Sequence, residues 1–125
     1  MAKILIIDDE ESILKMYSAA LSEHEILTAK DGNQGIEIAE KGEPDLILLD
    51  IIMPKVNGLD VLSQLKENQE TSAIPVLILT NLPEESSGDK AKSLGADGYF
   101  VKAEYEPEKL AEIVYYNNPI TDATR

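Results

Sequence analysis

The sequence predicts an α/β fold: a doubly wound domain of five strand-helix units, (βα)5, around a five-stranded parallel sheet. Short aliphatic runs alternate with stretches of helical periodicity five times along the chain, and that order implies a parallel sheet with helices on both faces. Most of the runs are continuous rather than alternating in polarity, as strands buried on both faces must be. A length of 125 residues fits one domain rather than two.

The elements follow in order. Ile4-Leu5-Ile6-Ile7 is the first strand, and Ile13, Leu14, Tyr17, Ala20 and Leu21 form the apolar stripe of the helix after it. Asp8 and Glu11 have the spacing of a capping box at its start. Ile26-Leu27-Thr28-Ala29 is the second strand. Lys30-Asp31-Gly32 then turns the chain into a helix carrying Ile36 and Ala39, closed by Gly42 and a turn at Pro44. After the third strand, Leu46-Ile47-Leu48-Leu49, come Met53-Pro54 and Asn57-Gly58, a rigid turn, and a helix anchored by Leu59, Leu62 and Leu65. Val76-Leu77-Ile78-Leu79 is the fourth strand. The helix from Glu84 to Leu94 is polar, with Ala91 and Leu94 as its clear anchors and Gly95 at its end; so few apolar anchors suit a mobile element. Tyr99-Phe100-Val101 is the fifth strand. The last helix opens near Pro107, a residue suited to a first turn, carries Leu110, Ile113 and Val114, and stops at Asn118-Pro119. The domain is therefore expected over 1–117, with a C-terminal tail at 118–125 and right-handed crossovers.

Composition excludes several function classes. The formal net charge is −13, which argues against DNA or anionic lipid as a direct partner. No apolar run approaches the roughly 20 residues that span a bilayer. Met1 reads as a natural start without a signal-peptide layout. Cysteine is absent, which excludes a disulfide scaffold and Cys-based metal or redox sites. With 43% apolar residues, one Phe and no Trp, the core must be mostly aliphatic. A cytoplasmic domain is the expectation.

In open α/β sheets ligands bind outside the carboxyl ends of the strands. Asp8 and Asp9 follow the first strand, Asp50 the third, Thr80 the fourth and Lys102 the fifth. Each has a plain structural reading, as a helix cap, a turn residue or a surface lysine. Together they point elsewhere. Three converging acids repel one another, so one would stay protonated unless a hard divalent cation with oxygen ligands, Mg²⁺, relieved the cost. A lysine opposite would suit an anion bridged by the metal, and phosphoryl is the natural candidate. A carboxylate can accept a phosphoryl group, and Asp50, on the third and central strand, is the best placed.

These residues resemble the receiver domain of two-component response regulators, over Lys3 to about Tyr116. The resemblance is carried by Ile7-Asp8-Asp9-Glu10, Leu49-Asp50-Ile51-Ile52-Met53-Pro54, Asn57-Gly58, Leu79-Thr80 and Gly98-Tyr99-Phe100-Val101-Lys102. It implies a flavodoxin-like sheet of order 2-1-3-4-5. It also implies Asp50 as phosphoacceptor, and Mg²⁺ held by Asp9, Asp50 and the backbone carbonyl of Ile52, with Asp8 helping through a bound water. Lys102 would pair with the phosphoryl group, Thr80 would turn its hydroxyl onto a phosphoryl oxygen, and Tyr99 would move inward into the vacated space. The implied donor is a histidine kinase or phosphotransfer protein. The output protein is left unnamed, and the switching face is the fourth helix, fifth strand and fifth helix.

The sequence departs from the family pattern in places. Receivers usually carry Pro, often cis, directly after the lysine; here it is Ala103. A cis bond before Ala costs about 2.5–4 kcal/mol, so a trans Lys102-Ala103 bond and a reshaped loop through Glu106 are expected. Asn81 stands where the family has a small residue, and is expected to crowd the phosphoryl site or hydrogen-bond to it. Ile52 and Leu82 are apolar where polar groups can position the attacking water, which predicts slow autodephosphorylation.

Other readings fit less well. A phosphatase with an aspartyl nucleophile wants a second Asp two residues on, where Ile52 stands, and normally places its nucleophile after the first strand. A nucleotide or flavin domain needs a phosphate loop where Asp8-Asp9 stands. Ala103 and Asn81 leave open a receiver-shaped scaffold that is not phosphorylated. His24, the only histidine, reads as a C-terminal dipole partner of the first helix. Met16 reads as edge packing. Tyr115 and Tyr116 are neighbours that cannot share one helix face, so at least one is expected to be exposed.

Overall fold

Five parallel strands form one sheet in the order β2-β1-β3-β4-β5. The structure is a computed structural model that describes residues 2–117; the expected tail at 118–125, with the Asn118-Pro119 stop, lies outside them. The strands are β1 (Lys3–Ile7), β2 (Glu25–Ala29), β3 (Leu46–Leu49), β4 (Val76–Thr80) and β5 (Gly98–Val101). The helices are α1 (Glu11–Ala20), α2 (Gly32–Gly42), α3 (Gly58–Glu67), α4 (Glu84–Ser93) and α5 (Pro107–Asn117). A short 3-10 turn, Lys102–Glu104, follows β5.

Side chains alternate across the sheet, so each continuous aliphatic strand feeds two cores. Leu5, Ile7, Ile47, Leu49, Val76 and Ile78 pack with Ala39, Val61, Leu62, Leu65 and Ala91, the face of α2, α3 and α4. Ile4, Ile6, Leu46, Leu48, Leu77 and Leu79 pack with Leu14, Tyr17, Leu21, Leu110 and Val114, the face of α1 and α5. Each fully buried aliphatic side chain contributes about 1.5–3 kcal/mol. The inner strands β1, β3 and β4 are almost wholly buried, whereas the edges β2 and β5 are only partly so. Among the described residues no helix is long and apolar enough to cross a membrane.

Several local expectations are corrected. The capping box at α1 does not form: Glu10 is the N-cap and makes no side-chain cap bond, because the Asp8 carboxylate is turned into the strand-end cluster. Gly42 is not the left-handed residue that closes α2; Glu43 is, at φ 48. A Cβ at Gly42 would lie 2.9 Å from Leu27 Cδ1, the far end of a side chain. His24 Nδ1 accepts the Ala2 N–H at 3.0 Å, so that nitrogen carries no proton and the ring anchors the start of β1 rather than a helix dipole. Tyr115 and Tyr116 are both exposed, in line with the expectation that at least one would be, and their rings meet edge to face at 5.2 Å. Met16, read as edge packing, is 41% exposed and is not among the side chains packed against either core.

Candidate functional site

Strand register brings the candidate residues together. Ile7 pairs with Leu49, and Asp50 N–H continues the ladder to Ile7 O at 3.0 Å. Asp8 and Asp50 therefore stand side by side, past the ends of adjacent strands. Thr80 pairs with Val101, which places Lys102 one step beyond the neighbouring strand. The site sits where strand order reverses around β1, the position expected of a doubly wound sheet.

Lys102 lies between the two buried acids. Its Nζ donates to Asp8 Oδ2 at 2.7 Å and to Asp50 Oδ2 at 2.9 Å. The second oxygen of each acid is also held: Glu10 N–H donates to Asp8 Oδ1 and Ile52 N–H to Asp50 Oδ1, both at 3.0 Å. Asp8 and Asp50 are 2% and 5% exposed, and Asp9 is the most exposed of the three acids. Burial raises the Asp8 carboxyl above the ordinary aspartate range, although the Lys102 and Glu10 hydrogen bonds oppose the shift. Burial alone would lower Lys102, but its hydrogen bonds to Asp8 and Asp50 outweigh it and hold the ammonium above the ordinary lysine value. The ammonium is thus charged, and it neutralises one of three clustered acids.

The donor set suits a hard cation. One carboxylate oxygen from each of Asp8, Asp9 and Asp50 lies within 4.8 Å of the others. A divalent ion with oxygen ligands at about 2.0–2.6 Å needs those oxygens within about 4–5 Å of one another. A cleft of about 290 Å³, lined by Lys30, Met53, Pro54 and Lys55 among others, borders Asp9.

The β3–α3 loop is held behind Asp50 by glycine. A Cβ on Gly58 would collide with Ile51 Cα and lie 2.8 Å from Asp50 O, so only glycine lets the start of α3 pass this close. Asn57 caps α3 by accepting the Leu59 N–H at 2.9 Å. Ile52 turns its side chain to solvent, 51% exposed.

Thr80 is fully buried, and its hydroxyl accepts the Leu82 N–H at 3.4 Å. Tyr99 is half-buried against the α2–α4 core. Its hydroxyl donates to Leu82 O at 2.8 Å and lies 2.7 Å from Ser87 Oγ. With the one phenolic proton on Leu82 O, Ser87 is the donor in the second bond. Sequence reasoning missed Ser87. Its signal was a spacing of four from Ala91 on a helix otherwise poor in buried residues.

The Lys102-Ala103 peptide is trans, as expected; the described residues contain no cis bond. The loop is reshaped into the 3-10 turn Lys102–Glu104, and Tyr105 packs edge-on against Phe100 at 5.5 Å. Asn81 is engaged elsewhere than expected: its Oδ1 accepts the Ala103 N–H at 3.1 Å.

The family model for the response regulator receiver domain matches residues 4–115. The chain belongs to the receiver family. Phosphorylation-based switching in two-component systems is the general function of receivers, which generally bind Mg²⁺ at an acidic pocket. PilH of Pseudomonas aeruginosa is 38% identical over 115 residues, 90% of this chain and 95% of PilH. The chemotaxis protein CheY4 of Vibrio cholerae superposes with a TM-score of 0.86 at 31% identity, over 94% of this chain and 98% of CheY4. The Mn(2+)-bound form of response regulator Rcp1 superposes with a TM-score of 0.79 at 26% identity, over 92% of each chain. As a receiver, the chain has the sheet order 2-1-3-4-5 that the resemblance implied.

Proposed function

We propose that this receiver, over residues 1–117, takes a phosphoryl group on Asp50 from the phosphohistidine of a histidine kinase or phosphotransfer protein. One observation carries the reading: Lys102 Nζ spans Asp8 and Asp50 at 2.7 and 2.9 Å inside a cluster of three carboxylates. Asp9, Asp50 and the backbone carbonyl of Ile52 would hold Mg²⁺, with Asp8 acting through a water. Bound there, the ion would offset negative charge on the phosphoryl oxygens and orient them; the Mn(2+)-bound form of Rcp1 supports a divalent site in this fold.

The chain's own residues do the rest. An Asp50 oxygen attacks phosphorus in line, and the donor nitrogen leaves with the electron pair of the broken bond. The Lys102 ammonium moves from Asp50 Oδ2 to a phosphoryl oxygen, where it stabilises the transferring charge. The Thr80 hydroxyl, now on the Leu82 N–H, turns to another phosphoryl oxygen. Tyr99, tied to Leu82 O and Ser87, carries that shift to the α4-β5-α5 face, which an output protein reads. The protein is in this reading a cytoplasmic switch that catalyses only its own phosphorylation and dephosphorylation, with no membrane or direct nucleic-acid partner.

Incubation with Mg²⁺ and acetyl phosphate, followed by intact mass measurement, tests the reading. One phosphoryl adduct on the wild type and none on Asp50→Ala supports it. No adduct on the wild type with cation binding intact favours an unphosphorylated scaffold.

A further inference from the structure

The β4–α4 and β5–α5 connections leave the sheet side by side, because Thr80 and Val101 form the last rung of their ladder. Beyond that rung strand pairing ends. The Ala103 N–H, in the first turn of the 3-10 helix that begins at Lys102, has no acceptor within that turn. Val101, at its N-cap, supplies no side-chain bond. Asn81 Oδ1 supplies the acceptor from the other loop, at 3.1 Å.

Asn81 and Ala103 are both exposed. Water would satisfy the amide equally well, so the bond is not there to rescue a buried group. Its effect is geometric. Asn81 directly follows Thr80, and Ala103 directly follows Lys102, so one hydrogen bond ties together the two loops that carry these site residues. A lysine side chain is long and flexible. Whether its Nζ spans both carboxylates depends on where its backbone is held.

We infer that Asn81 is a positioning residue: through the Ala103 amide it fixes the turn that carries Lys102, so that the ammonium stays on Asp8 and Asp50 ready for the phosphoryl group. This inference rests on the reading of Lys102 given above. Asn81 thereby links two departures from the family pattern, since an Ala at 103 offers the N–H that a Pro would lack.

The test compares wild type with Asn81→Ala and Asn81→Asp, the latter keeping an acceptor oxygen. Exchange of the Ala103 amide, followed by NMR, is expected to quicken about three- to ten-fold in Asn81→Ala, the loss of one ordinary hydrogen bond, and to stay near wild type in Asn81→Asp. The rate of phosphorylation by acetyl phosphate with Mg²⁺ is expected to fall about three- to ten-fold in Asn81→Ala. In a Lys102→Ala background the same change is expected to cause no further slowing, an epistasis that a merely structural role would not produce. Unchanged Ala103 exchange in Asn81→Ala overturns the inference, as does equal slowing in both backgrounds. A wild type that takes no phosphoryl group defeats the reading of Asp50 itself. Wild type and Asn81→Ala phosphorylated at one rate defeat only the inference about Asn81.

Discussion

Replacing Lys102 by Met strips two buried acids of the cation they share. Asp8 and Asp50 are 2% and 5% exposed, and each would keep a single N–H partner, Glu10 for one and Ile52 for the other. Carboxylate oxygens of the cluster lie within 4.8 Å of one another. Two unit charges at that separation repel by about 3.5 kcal/mol at an effective dielectric near 20, and by about 0.9 kcal/mol in bulk water. Breaking a buried ion pair by removing one partner costs about 3–5 kcal/mol, and the repulsion worked from the geometry is of that size. Lys102→Met is therefore expected to lose about 3–5 kcal/mol of unfolding free energy, measured by urea denaturation at pH 7 with EDTA present. The pH dependence has a definite sign. The Lys102 value is raised in the fold, so its contribution is complete at pH 7 and disappears only as pH rises through that raised value. The Asp8 value is also raised, so protonating it favours the fold and the stability linked to it is lost as pH rises. The deficit of the variant should accordingly shrink as pH falls toward the carboxylate range. A deficit under about 1 kcal/mol, the worth of an exposed pair, or one that grows as pH falls, would refute the reasoning.

Other expectations rest on neighbouring groups. Tyr99→Phe and Ser87→Ala should each cost about 0.5–1.5 kcal/mol; because they share one network, the double variant should lose less than the sum in a double-mutant cycle, and strict additivity would contradict the geometry. Gly58→Ala forces a methyl into the Ile51 backbone, with about 1–3 kcal/mol of destabilisation in chemical denaturation and slower phosphorylation of Asp50. Ile52 and Leu82 offer no polar group to an attacking water, so the phosphorylated wild type should decay slowly and Ile52→Glu should hasten it; fast wild-type decay would count against this. Leu48→Ala, at a position 1% exposed between β1 and β4, should cost about 2–5 kcal/mol.

The sheet was legible because period and position carry it. Runs such as Leu46-Ile47-Leu48-Leu49 have no polar residue to interrupt them, which only a doubly covered strand tolerates. The acids were legible for the same reason: Asp8 and Asp50 interrupt the aliphatic pattern at the point where a strand must end. What stayed hidden depends on side-chain direction. The Asp8 and Glu11 spacing matches a capping box, yet the Asp8 carboxylate has a stronger partner in Lys102, 94 positions away in the chain. Asn81 was expected to meet the phosphoryl site, because only the assembled β4–β5 register shows the Ala103 amide within its reach. Ser87 lies on a helix whose polar sequence disguises which face is inward, and its partner Tyr99 comes from another strand. The Glu43 conformation at the end of α2 carries no compositional signal, since glycine is the usual occupant of a left-handed position.

The central claim is that one particular carboxylate of the three accepts the phosphoryl group. Reductive trapping of the phosphorylated protein, followed by peptide mapping, locates the acceptor directly. The account predicts the modification on Asp50 alone, formed with Mg²⁺ present and lost with EDTA. Modification of Asp8 or Asp9 in place of Asp50, or labelling indifferent to the cation, would contradict it.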